Sequence, residues 1–206
     1  MIRNRTAAIA LALFSLAALC AGCAGTREAA PVVGESGLPV WVKIVVPEVD
    51  GRTRFVGGVS FAEDVESGLE AATIDAQTQV HLHATRYFTD GFTMCVQKSG
   101  VETTAMERLE IKNAITNEYG ERMVGLGRVD DRYHEPCAES LSADGPVCRV
   151  FVLMTVGADE WDTVLAELLA GHKRRYVEDG KGHLADFLEW MIRRALEEEA
   201  ARGRER

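Results

Sequence analysis

The feature that most constrains this chain is a stripe of apolar side chains in its first half. Val65, Leu69, Ala72, Ala76, Val80, Ala84 and Phe88 recur at steps of three or four. That spacing puts all seven on one face of a helix. The middle members are small, so such a helix can approach a sheet closely. Ser60 with Glu63 three residues later is a capping-box signature for its start. Asp90-Gly91 supplies a stop.

The flanking segments read mostly as β. Residues 40–46 (VWVKIVV) are β-branched and aromatic and predict a strand. Residues 47–51 (PEVDG) predict a turn. Residues 54–61 predict a second strand, weakened or bulged at Gly57 and Gly58. Residues 92–96 fit helix or strand. Thr104 and Glu107 form a second capping box, and Met106, Leu109, Ile111 and Ile115 predict a helix ended by Gly120. Residues 123–133 and 147–156 read as strands, with polar, turn-rich residues 134–146 between them.

The last quarter is helical. Asp159 is placed as an N-cap ahead of Trp161, Val164, Leu165, Leu168 and Leu169. Gly180 and Gly182 break the chain, and a final helix carries Leu184, Phe187, Leu188, Met191 and Ile192. The expected fold class is α+β. A small antiparallel sheet of about four strands is backed by a long helix, with a C-terminal helical extension.

The first 22 residues read as an address and not as structure. Arg3 and Arg5 precede an apolar run from Ala7 to Leu19, broken only by Ser15. A spanning helix needs roughly 18 to 20 apolar residues, so the run is too short to cross a membrane. Ala21 and Gly22 stand directly before Cys23 and resemble the lipobox of a bacterial lipoprotein, although Cys20 takes the place usually held by Leu. Cleavage before Cys23 would expose a cysteine whose sulfur and amine both take acyl chains, enough for stable anchoring. Residues 1–22 are thus expected to be a lipoprotein signal peptide, and Cys23 the lipidation site. Ala24 and Gly25, with no Asp directly following Cys23, fit the family rule for sorting to the outer membrane.

Residues 23–38 read as a flexible tether, 39–157 as an α+β domain, and 158–206 as a helical extension with a charged tail. Fifteen tether residues reach about 50 Å if extended. Removing Arg3 and Arg5 leaves 21 basic residues against 32 acidic ones, a net charge of −11. Such a chain does not suit nucleic acid or an anionic membrane face.

With this order of residues the chain resembles a known family. Pro39-Val-Trp41, Phe55-Val-Gly57-Gly58-Val-Ser60, then Ala71, Ala72 and Ala76, then Leu126-Gly127-Arg128-Val129-Asp130, and finally residues 150–153 (VFVL) are similar to the Lpp-twenty-like bacterial lipoproteins. That group includes a flagellar outer-membrane lipoprotein. The resemblance covers roughly residues 38–156. It implies a helix-backed antiparallel sheet, no enzymatic activity, and for some members assembly into rings or disks beneath the outer membrane.

Three cysteines remain in the mature domain. Cys137 and Cys148 flank ten residues between two expected antiparallel strands, so they are predicted to form a disulfide, the alternative being two thiols. Cys95 lies in an apolar stretch and is expected to be a buried thiol, or a bridge between chains in an assembly. His81 and His83 invite a metal reading. Two residues apart on a helix point about 200° from each other, however, and zinc-type spacing is absent from the sequence. His134-Glu135 is followed by Pro136 and does not fit a zinc-protease helix. Gly125-Leu-Gly127-Arg-Val-Asp130 has Asp where a dinucleotide fingerprint needs its third Gly. No nucleophile elbow or phosphate-binding lysine loop occurs in the sequence. Trp161, Phe187 and Trp190 either fill a partner's groove or pack the two last helices on each other or on the sheet.

The expected function is therefore non-catalytic, with no cofactor and no metal. It is a structural or assembly role at the cell envelope, lipid-anchored at the outer membrane and facing the periplasm, with protein partners or self-association. The alternative is a periplasmic binding module for lipid, peptidoglycan or a small ligand, which a closed apolar cavity would favour.

Overall fold

The computed structural model describes residues 37–43, 48–135 and 148–202, with the side chains of the last helix described as far as Arg194. All of them belong to one unit, Val33–Arg206. The order is α1 (Val40–Lys43), β1 (Glu48–Val49), β2 (Arg52–Ala62), α2 (Val65–Lys98), α3 (Ala105–Leu126), β3 (Arg128–His134), β4 (Cys148–Gly157), α4 (Ala158–Glu178) and α5 (Gly182–Arg202). The fold is α+β, with a four-stranded antiparallel sheet ordered β1-β2-β4-β3. The long helix backs it, and the C-terminal helical extension is present.

Asp50 and Gly51 make the β1–β2 turn, with φ of 52° and 68°. Two central residues at positive φ suit the right-handed twist of the strands they join, and Asp-Gly adopts them readily. The expected strand over 40–46 is corrected: Val40–Lys43 is a single helical turn. Its amide at Val42 donates to Pro39 O at 3.0 Å, and the Trp41 indole donates to Asp131 Oδ2 at 2.7 Å. The tertiary bond of Trp41 outweighs a β preference that is small and context-dependent. Residues 44–46 lie outside the described residues.

β2 runs on to Ala62, opposite Cys148, so Ser60 is a strand residue and not a cap. Asp64 is the N-cap of α2 instead, its Oδ1 accepting from the Ser67 amide at 2.8 Å. The irregularity in β2 falls between Val59 and Ala62, not at Gly57 and Gly58. Gly57 has another task. A Cβ there would lie 1.9 Å from Ala72 O and 2.5 Å from Ala76 N, so α2 presses its backbone on the strand.

α2 buries Gly68, Ala72, Ala76, Val80, Ala84, Phe88, Phe92 and Cys95 along 34 residues. The expected stop at Asp90-Gly91 is overruled. A glycine inside a helix costs about 1 kcal/mol, whereas burying a Phe contributes about 1.5–3 kcal/mol. Phe92 and Cys95 extend the stripe in register, so the helix continues.

The capping box at Thr104 and Glu107 is formed as expected. Gly120 does not end the helix that follows, which reaches Leu126. A Cβ on Gly120 would lie 2.3 Å from the ring of His81, so this glycine is where α2 and α3 meet. Residues 123–126 accordingly finish α3, and the strand expected from 123 begins at Arg128. Gly157, not Asp159, is the N-cap of α4.

The two last helices pack on each other and on α2 and α3, not on the open face of the sheet. Trp161, Leu168, Leu169, Phe187 and Leu188 share one core with Val80, Phe88, Ile111, Ile115 and Tyr119. A smaller cluster of Ala62, Ala72, Cys148, Val150 and Val152 lies where α2 covers the sheet.

Candidate functional site

Two places draw polar and aromatic side chains from several elements. The first is centred on Trp161 at the start of α4. Its ring meets His83 at 4.8 Å, Phe55 at 6.1 Å, and Tyr87 and Tyr119 at 6.3 Å between centroids. The indole donates to Thr53 Oγ1 at 3.0 Å. The Tyr119 hydroxyl donates to Trp161 O at 2.9 Å, and that of Tyr87 donates to Asp162. Burial raises the pKa of the Tyr119 phenol, with the neighbouring Tyr87 and Asp162 adding to it. It remains neutral and donates. Burial likewise lowers the pKa of His83, and Arg86 adds to the effect. These groups tie four elements together, and the His83 ring is the exposed member among them.

The second place is a cavity of about 330 Å³ between α2, α4 and α5. Its floor is Phe88, Cys95, Leu165, Leu169 and Met191, all buried. Asp90, Met94 and Lys98 stand at its exposed mouth. Trp190, Tyr87, Gly91, Asp162 and Arg194 complete the wall. The cavity is apolar inside, charged at the rim and open to solvent, not closed. No helix among the described residues is long and apolar enough to cross a membrane.

The residues singled out from sequence are scattered. Cys23 and Cys137 lie outside the described residues. Cys148 is wholly buried and disulfide-bonded. The β3–β4 ladder carries through the bond from Glu135 N to Arg149 O at 2.9 Å, two residues before Cys137 and one after Cys148. Cys95 is buried at the floor of the cavity. His81 faces Gly120 on α3, whereas His83 faces Phe55 and Trp161, so the helix points them apart. Among the described residues no group of three His, Cys, Asp or Glu side chains could hold a metal ion. Gly125 lies in the last turn of a helix that leads into a strand, the reverse of a dinucleotide-binding turn. Glu135 pairs with Arg149 at 3.2 Å.

His172, buried in α4, was not singled out from sequence. It meets Glu118 at 3.1 Å, and Arg175 meets the same carboxylate at 3.4 Å. Burial lowers the His172 pKa, Arg175 adds to this, and Glu118 opposes both. Burial works against ionisation of Glu118, but its bonds to His172 and Arg175 prevail and lower its pKa. This network clamps α3 to α4. The cavity was also missed, because its wall comes from three helices far apart in sequence. No family model, curated protein or solved structure matches this chain.

Proposed function

We propose that the protein is a lipid-anchored component of the bacterial cell envelope with a structural or assembly role and no catalytic one. Cys23 carries the anchor, residues 23–38 tether the domain, and the domain associates with protein partners or with copies of itself. One observation supports association above others. Ile74, Thr78 and Leu82 stand four residues apart on α2, one turn above another, and all three are exposed. Ile74 is 55% and Leu82 51% exposed, and Met106 and Leu109 on α3 are 65% and 52% exposed. Ile74 and Leu82, on one face of α2, and separately Met106 and Leu109 on α3, are large apolar side chains left in water, and burying them favours a protein interface.

The test of the anchor is palmitate labelling of the full chain and of Cys23→Ser. Label that persists in the variant would refute the anchor. The test of association is sizing of the exported, unlipidated Cys23→Ser protein. Oligomers that dissociate on Ile74→Glu/Leu82→Glu are expected, and a strictly monomeric parent would refute assembly. The cavity beneath α2 is open and not the closed one expected of a binding module, but its apolar floor and its volume, in the range of small-molecule sites, support a second reading, a binding module for an apolar ligand.

A further inference from the structure

The cavity between α2, α4 and α5 has a lining chemistry that narrows what could fill it. Its floor offers Phe88, Leu165, Leu169 and Met191, and one wall offers Trp190. None of these five carries a charge. A cavity of about 150 Å³ with such a lining holds benzene. At about 330 Å³ this one has room for roughly twelve carbon atoms. Along α2 the lining runs from Tyr87 to Lys98, about 16 Å at 1.5 Å per residue. An apolar lining that extends this far along one helix suits a single acyl chain better than a compact ring system.

The rim decides the head group. It carries Asp90 and Asp162 as well as Lys98 and Arg194. Asp162 accepts the Tyr87 hydroxyl, which uses part of its capacity. Asp90 lies eight residues before Lys98, so about 12 Å separates them along the helix. Lys98 stands at the end of α2 and makes no ion pair among the described residues. Its flexible stem and three N–H donors can reach a carboxylate at the mouth.

We infer that this cavity binds a single-chain fatty carboxylate of about twelve carbons, its chain on Phe88, Leu165, Leu169 and Met191 and its carboxylate at Lys98. The inference rests on the binding-module reading and adds the ligand class to it.

The experiment uses the full-length lipoprotein in detergent-free nanodiscs, with sodium dodecanoate, dodecanol and dodecyltrimethylammonium as probes below their micellar concentrations. Titration follows Trp190 fluorescence, with Trp190→Phe as the background. Dodecanoate is expected to bind at one site per chain. Met94→Trp, which fills the exposed mouth, should abolish binding, and Met94→Ala should bind as the parent does. Lys98→Glu should weaken dodecanoate about two- to fivefold, the scale of one exposed charge pair, and leave dodecanol unchanged. Dodecanol or the ammonium binding as tightly as dodecanoate would overturn the head-group assignment while keeping the binding-module reading. Absence of binding by all three probes, or dodecanoate binding that Met94→Trp leaves intact, would overturn both.

Discussion

The carbonyl oxygen of Ala72 occupies the space where Gly57 would carry a side chain: a Cβ on Gly57 would come within 1.9 Å of it. The long helix therefore rests directly on the strand. Two polar side chains of α2 fix the same contact. Gln79 Nε2 donates to Val56 O at 2.8 Å, and the Gly58 amide donates to Asp75 Oδ2 at 3.0 Å. Both bonds tie backbone groups of β2 to side chains of α2.

Gly57→Ala should lower the unfolding free energy by about 3 kcal/mol or more, because backbone on both sides must move. Chemical denaturation measures it. Gly91→Ala is the control, since nothing lies within 4 Å of the added carbon. It should be neutral or stabilise by up to about 1 kcal/mol. Equal effects of the two substitutions would contradict this account of Gly57.

Gly120 and His81 make the corresponding contact between α2 and α3. Here the obstacle is a side chain, so its removal should relieve the strain. Gly120→Ala should cost about 1–2 kcal/mol net, overpacking outweighing the gain in helix propensity. In a His81→Ala background the same change should become neutral or stabilising. A double-mutant cycle reads the difference, and additive effects would refute the contact.

Glu107 links the starts of α3 and α5. Its carboxylate accepts from Thr104 N and Oγ1, both at 2.8 Å, and meets His183 Nε2 at 2.8 Å. The Thr104 amide above all, then His183, holds its pKa at about 2. A depressed carboxylate contributes stability that is complete above the ordinary value of 4.5 and is lost as pH falls through about 2. Thermal midpoints between pH 5 and pH 2 should fall less steeply in Glu107→Gln than in the parent. Parallel curves would remove this role.

Cys148 is disulfide-bonded, and the partner expected from sequence is Cys137, which lies outside the described residues. Peptide mapping under non-reducing conditions should recover residues around 137 and 148 as one linked pair. Closing a loop of this length stabilises by about 3 kcal/mol, so reduction should lower the melting temperature clearly. A linkage from Cys148 to any other cysteine would refute the assignment.

Much of the fold was legible in the residues alone. The stripe from Ala72 to Phe88, the capping box at Thr104, the Asp-Gly turn and the apolar faces of the last two helices follow from periodicity and local hydrogen bonding. These forces act within a few residues, so a single segment contains the information. The class, an antiparallel sheet backed by a long helix, follows from the same patterns.

Other features depended on contacts between distant segments. Gly91 and Gly120 look like helix stops, yet Phe92 and His81 find partners that outweigh the local cost of glycine. Ser60 looks like a cap, yet pairing of Ala62 with Cys148 keeps the strand running past it. The 40–46 segment looks like a strand, yet Trp41 reaches Asp131 from a helical turn. The cavity is the extreme case, since Phe88, Leu165 and Met191 meet only when three helices pack. Short-range periodicity settles which residues are apolar and where a helix can form. Burial against distant partners, worth more per residue than any propensity, decides where each element stops and what space remains between them.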